Sequence, residues 1–179
     1  NKYFDYLIVP EHDNLIGKNV ITSKGSLHQI TYNSILNSFK NLHPKILKGI
    51  GGHIAVIIGG DTKNQIVKNN EINNLIIELS RIQKLIKTKM IISLSRRTTY
   101  FISKKIKEYS NKNNIILWEP NDIYPNPYPG LFYNAKLVIV TTDSINMLSE
   151  SISTGLPVFG FDLLKPHSRR NTFIKNLIE

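Results

Sequence analysis

Cysteine is absent from all 179 residues. Its absence excludes disulfides, thiol nucleophiles and cysteine-ligated metals, and a reducing cytoplasm fits. Long apolar runs are missing too; none approaches the roughly 18 residues needed to span a bilayer. No basic start with an apolar centre and a small-residue cleavage site is visible. Neither a G-x-S-x-G elbow, a P-loop nor an H-E-x-x-H helix occurs, so hydrolase, nucleotidase and protease readings lack support. An Asp-x-Asp pair is also lacking, and no metal is expected. Acidic residues are scarce, 13 against 23 Lys and Arg, giving a formal net charge of +10. That excess does not require nucleic acid, because no binding motif accompanies it. Lysine abounds alongside Ile and Asn, and Lys104, Lys105 and Lys107 read as the solvated face of a helix. A basic face can instead meet anionic lipid headgroups or a polyanionic ligand.

What is present is a globular composition, 41% hydrophobic and 20% charged, with length for one domain or slightly more. Apolar runs recur in a β–α rhythm. Strands are expected at Phe4–Val9, Val20–Ile21, Ile54–Ile58, Met90–Leu94, Ile115–Trp118, Leu137–Val140 and Pro157–Phe161. Between them, Thr31 caps a helix through Ile35, Leu36, Phe39 and Leu42. Leu75, Ile76, Leu79, Ile82 and Ile86 stripe a second helix over about 71–87. Further helices are expected around Tyr100–Tyr109, after Ser144, and from Ser168 to the end. Strands apolar throughout indicate a parallel sheet covered on both faces. The fold class is therefore α/β, a Rossmann-like doubly wound parallel sheet. In such sheets ligands bind beyond the strands' carboxyl ends, where the strand order reverses.

Several polar groups follow those strand ends. The most informative is Thr142-Asp143-Ser144, which leads into a helix stopped by Gly155. Ile145, Leu148 and Ile152 form its expected buried stripe, and Asn146, Glu150 and Ser153 share another face. Ser144 at the helix start suits a phosphate, and Glu150 two turns on can accept from ribose hydroxyls. Alternatively, Asp143 and Ser144 only cap the helix and Glu150 is solvated. Gly59-Gly60 permits close backbone approach to phosphate, or is a simple turn. Ser95-Arg96-Arg97 places two of only five arginines at one strand end. One of them can grip diphosphate with its planar fork; an ion pair to Glu119 or Asp122 is the other reading. The long loop 119–129 brings Asn126 and Tyr128 toward a base or sugar. Trp118 either stacks there or belongs to the core. Arg169 sits at the site mouth or at a solvated helix start. His12, set between Glu11 and Asp13, is the candidate general base.

Ser149-Glu150, four residues, then Gly155-Leu156-Pro157 resembles the donor-nucleotide helix of GT-B glycosyltransferases. The enzymes that add N-acetylglucosamine to lipid I, and UDP-N-acetylglucosamine 2-epimerases, have similar patterns. Across nearly the whole chain, four blocks resemble the elongated-mitochondria fission-factor family. They are Pro10-Glu11-His12-Asp13, Ser95-Arg96-Arg97-Thr98, Asn126-Pro127-Tyr128 with Gly130, and Thr142-Asp143-Ser144 through Gly155. The resemblance implies the carboxy-terminal, donor-binding half of a GT-B-like fold. Residues 1–48 would then be a remnant of an amino-terminal domain with its linker helix, and 49–179 the nucleotide-sugar-binding domain. It also implies a nucleotide-diphosphate sugar, UDP-linked, as donor substrate rather than a resident cofactor, with Glu150 on the ribose and metal-independent glycosyl transfer. A lipid-linked acceptor or the membrane surface would be the partner, placing the protein in the cytoplasm or peripherally at the inner face of the membrane. The same family suggests two alternatives: a non-catalytic membrane-associated scaffold, or an epimerase-like enzyme. Asp61 stands where many GT-B loops carry a small residue, so Lys63 would have to offset its charge near a diphosphate.

Overall fold

Every residue of the strands Ile54–Ile58, Met90–Leu94 and Leu137–Thr141 is buried, as a parallel sheet covered on both faces requires. The computed structural model describes residues 3–122, 124–165 and 168–178. The elements are β1 (Leu7–Pro10), β2 (Val20–Ser23), α1 (Tyr32–Lys40), α2 (Pro44–Leu47), β3 (Ile54–Ile58), α3 (Asn69–Ile86) and β4 (Met90–Leu94). There follow α4 (Tyr100–Lys112), β5 (Ile116–Trp118), β6 (Leu137–Thr141), α5 (Ile145–Ser153), β7 (Val158–Phe161) and α6 (Ser168–Ile178). Two 3-10 turns, Glu11–Asp13 and Tyr128–Phe132, complete the chain.

The main sheet is entirely parallel, in the order β5-β4-β3-β6-β7. Period-two alternation divides its side chains between two cores. Ile54, Val56 and Ile58 face Ile72, Leu75 and Leu79 of α3 and Ile102 and Ile106 of α4. Ala55 and Ile57 face the opposite way, toward Ile46, Leu148, Phe132 and Phe173. Each fully buried Ile or Leu contributes about 1.5–3 kcal/mol relative to exposure, so α3 is held by its stripe rather than by propensity. Helix α1, the one expected in the linker segment, and the short α2, which was not expected, pack into the second core through Ile35 and Ile46, with Leu42 between them. Thr31 and Ser34 cap α1 reciprocally, and Phe39 stacks on Tyr133 with centroids 4.0 Å apart.

One expected stripe differs. Leu148 of α5 is buried, but Ile152 is 38% exposed, and the buried neighbours are Ser149 and Ser151. The cause is close packing by a distant segment: Ser26 N–H donates to Ser149 Oγ at 3.1 Å. A Cβ on Gly25 would lie 2.9 Å from that same oxygen. Small side chains on α5 therefore admit the amino-terminal segment. Gly155 ends α5 with φ +72°, the left-handed conformation that glycine adopts without penalty.

Strands β1 and β2 form a separate two-stranded parallel sheet. Ile8 and Ile21 on it, and Phe4, Tyr6, Ile16 and Leu27 around it, are exposed. Among the described residues, no helix is long and apolar enough to cross a membrane.

His53 immediately precedes β3 and is fully buried. Its Nδ1 accepts from Gly51 N–H at 3.2 Å, and Nε2 lies 2.9 Å from the Leu131 carbonyl, to which it donates in the matching tautomer. Burial lowers its pKa from 6.5, the bond to Leu131 opposing. Below the unfolded value the unfolded chain binds the proton and the folded chain does not, so acid favours unfolding. We expect the thermal midpoint to fall as pH drops from 7.5 to 5.5. In His53→Gln, which retains a donor and an acceptor, the slope should be shallower by differential scanning fluorimetry.

Candidate functional site

Strand β3 leads to α3 on one face of the sheet, while its neighbour β6 leads to α5 on the other. The chain diverges between these two carboxyl ends, which makes them the switch point. Gly59-Gly60 follows β3, Thr142-Asp143-Ser144 follows β6, and Ser95-Arg96-Arg97 follows β4. All three segments meet, and an ion pair joins them.

Arg97 Nη2 donates to Asp143 Oδ2 at 2.6 Å, and Gly60 N–H donates to the same oxygen at 3.2 Å. The Asp143 side chain has no exposed surface, whereas that of Arg97 is 38% exposed. Arg97 Nη1 also reaches the Asp61 carbonyl at 3.3 Å. Gly59 N–H donates to Thr141 Oγ1 at 2.8 Å, and Thr98 Oγ1 donates to the Gly59 carbonyl at 2.6 Å. Added Cβ atoms would strike Asp143 Oδ2 at 2.0 Å from Gly59 and the Arg97 carbonyl at 2.2 Å from Gly60. The two glycines thus serve close approach between strand tips. Their N–H groups, expected to be open to phosphate, are already engaged. Of the adjacent arginines, Arg97 takes the ion pair, but with Asp143 rather than Glu119 or Asp122. Glu119 instead accepts from Lys107 Nζ at 2.7 Å and from Ser103 Oγ, and the bond to Glu119 raises the Lys107 pKa. Asp61 turns into its own loop, where Oδ1 accepts from Val67 N–H at 2.9 Å.

Beside this closed switch point lies an open slot of about 390 Å³. Ile57, Ser95 and Arg96 form its floor and rim; Trp118, Tyr124 and Tyr128 its aromatic wall; Met147 of α5 its far side. Arg96 is exposed, and no hydrogen bond or ion pair engages it among the described residues. Ser95 Oγ accepts from Arg97 N–H at 3.1 Å, which fixes the turn carrying both arginines. Trp118 is buried, its Nε1 donating to the Tyr124 carbonyl at 3.4 Å, so it is core with one edge at the slot. Asn126 Oδ1 accepts from Tyr128 N–H at 3.0 Å and shapes the loop. Tyr128 Oη donates to Glu150 Oε2 at 2.7 Å. Burial, then that bond, raises the Tyr128 pKa well above its ordinary value. Ser144 caps α5, accepting from Met147 N–H at 3.4 Å, and Thr142 is hydrogen-bonded to Asp162.

Ser95, Arg96, Asn126 and Tyr128 line the slot; Glu150 is joined to it through Tyr128, and Ser144 stands at the start of α5. Gly59, Gly60, Arg97 and Asp143 form the latch beside them. His12 is not brought to either place. Only 7% exposed, it packs edge-on against Phe173 of α6, with ring centroids 5.3 Å apart. The side chain of Arg169 lies outside the described residues. Arg170 beside it is buried and donates through Nη2 to the Leu164 and Lys165 carbonyls, holding the loop after β7. Tyr124 was not legible as a wall residue. It owes that position to stacking on His43, at 4.2 Å between centroids, a contact 81 residues apart in sequence.

A doubly wound parallel sheet with a side slot at its carboxyl edge defines a Rossmann-like α/β domain. Within that class the chain belongs to the family described as Mitochondrial fission ELM1, whose model matches residues 1–179. Uncharacterized protein RP120 of Rickettsia prowazekii is 31% identical over 176 residues, covering 94% of this chain and 48% of that protein. Mitochondrial fission protein ELM1 of Arabidopsis thaliana is 28% identical over 150 residues, covering 78% of this chain and 32% of that protein. The chain thus spans about half or less of these relatives. Among solved structures, the UDP-GlcNAc 2-epimerase of Methanocaldococcus jannaschii, in complex with UDP-GlcNAc and UDP, is 16% identical with a TM-score of 0.49. That likeness covers 97% of this chain and 53% of that one.

The latch predicts an asymmetry. Arg97→Ala strands a buried carboxylate and should cost about 3–5 kcal/mol. Asp143→Asn keeps an acceptor of the same shape and leaves a half-solvated arginine, so it should cost less than half as much. Urea denaturation of the two variants measures the difference.

Proposed function

We propose that this chain holds a nucleoside-diphosphate sugar in the slot and acts as the donor-binding part of a metal-independent, glycosyltransferase-like protein. The observation that carries this is the arrangement around one cleft: a carboxylate tied to the aromatic wall and an unpaired arginine on the rim. A base would lie against Tyr124 and Tyr128, and the ribose hydroxyls would donate to Glu150. The diphosphate would meet the first turn of α5, where Ile145 and Asn146 N–H groups have no intrahelical acceptor. Arg96 would add its fork of donors. These groups act best on the charge that grows on a departing diphosphate, so catalysis would be electrostatic, without a covalent intermediate. A membrane-borne or lipid-linked hydroxyl is the acceptor suited to a basic protein at an anionic surface. His12, buried under Phe173, receives no role in removing its proton.

A second reading has its own support. The switch-point amides of Gly59 and Gly60 are internally satisfied, and apolar side chains line the small amino-terminal sheet. A scaffold that binds other proteins at a membrane would need no more than that.

Calorimetric titration of the full-length protein with UDP and UDP-sugars separates the readings. The proposal expects saturable binding, weakened at least about tenfold, or 1.4 kcal/mol, in Glu150→Ala. No heat at millimolar ligand supports the scaffold. If binding is found, product analysis distinguishes transfer from epimerisation.

A further inference from the structure

The loop after β5 and helix α5 meet at the hydrogen bond from Tyr128 Oη to Glu150 Oε2. The phenol is held from several directions. Pro127 and Pro129 flank it, and proline fixes backbone φ on both sides. Its ring packs edge-on against Phe132 at 5.2 Å. The following Gly130 donates to Ser38 Oγ at 2.9 Å, and a Cβ there would press on the α1 backbone at 2.9 Å. The loop is therefore clamped down on α1, which holds the hydroxyl toward Glu150.

A half-buried phenol whose pKa is raised keeps its proton and stays a donor. It fills one of roughly four lone-pair sites on the Glu150 carboxylate. Glu150 Oε1 has no hydrogen-bond partner among the described residues. Tyr128 and Met147, the latter one turn earlier on α5, line the slot, and Glu150 meets that lining through the Tyr128 hydroxyl. A freely rotating glutamate would lose rotamer entropy on meeting a ligand, whereas a clamped one has already lost it. What remains is a fixed acceptor edge, suited to two adjacent hydroxyls that donate together. A sugar lacking one of them would leave an acceptor unpaired.

We propose that Tyr128 is the positioning residue through which the slot selects ribonucleotides over deoxyribonucleotides. It acts through Glu150 and touches no reacting atom. The inference rests on the nucleotide reading above and adds the source of its sugar specificity.

The test uses the full-length protein and calorimetric titration with UDP, ADP, GDP and CDP. The best-bound diphosphate is then compared with its 2′-deoxy counterpart. The wild-type protein should prefer the ribonucleotide about tenfold or more. Tyr128→Phe, which keeps the ring and removes the donor, should weaken ribonucleotide binding about tenfold. It should change deoxyribonucleotide binding less than twofold, so the preference collapses. Equal weakening of both ligands, or an intact preference, overturns the proposal. Glu150→Gln supplies a second arm should Tyr128→Phe not fold. It should also lose the preference, and a retained tenfold preference overturns the proposal. If no diphosphate binds the wild-type protein, the nucleotide reading fails and this inference with it. If one binds without a ribose preference, only this inference fails.

Discussion

The carboxylate of Asp143, without exposed surface and gripped by Arg97 and Gly60, is the constraint around which the ligand edge is organised. A buried charge is expensive to desolvate, and the cost is offset only when donors meet it at short range. Here that demands two glycines, because a Cβ at either would collide with the carboxylate or with the Arg97 backbone. Thr141 and Thr98 complete the closure by satisfying the N–H and carbonyl of Gly59. The tips of β3, β4 and β6 are thereby fixed relative to one another, and everything they carry is fixed with them.

Closing the switch point moves the available surface sideways. In an open doubly wound sheet the glycine turn faces the ligand; here it faces a side chain of its own protein. The slot lies over β3, β4 and β5, walled by the loop after β5 and by α5. Arg96 and Arg97, adjacent in sequence, consequently have opposite tasks. Arg97 neutralises a buried acid, and Arg96 stays exposed on the rim. Loop and helix are tied together where Tyr128 meets Glu150, so the slot has a polar corner as well as an aromatic wall.

The amino-terminal segment reads differently from the main sheet. A two-stranded parallel sheet is rarely stable alone, and Ile8 and Ile21 on it stay exposed. It is nevertheless anchored, by Phe173 of α6 against His12 and by Gly25–Ser26 against Ser149 of α5. Relatives in the family are two to three times longer than the stretch this chain matches.

The sequence by itself determined the sheet class and most of the secondary structure, though not α2, the two 3-10 turns or the start of β1. Ile54–Ile58 and Met90–Leu94 form strands with the expected bounds, because uninterrupted apolar runs between polar turns have no other stable home than a covered sheet. Capping at Thr31 and Ser144 and the glycine stop at Gly155 were likewise local signals, carried by a hydroxyl or a missing Cβ. It also marked the strand-end segments from which the slot and latch are built. Only the tertiary structure decided which arginine meets which acid, that Gly59-Gly60 faces Asp143, that Ile152 is exposed, and that His12 lies under Phe173. Those outcomes depend on contacts between residues tens of positions apart, Arg97 with Asp143 or Tyr124 with His43. Periodicity records which face a residue occupies, but the partner on that face is chosen by the packing of elements the local pattern does not encode.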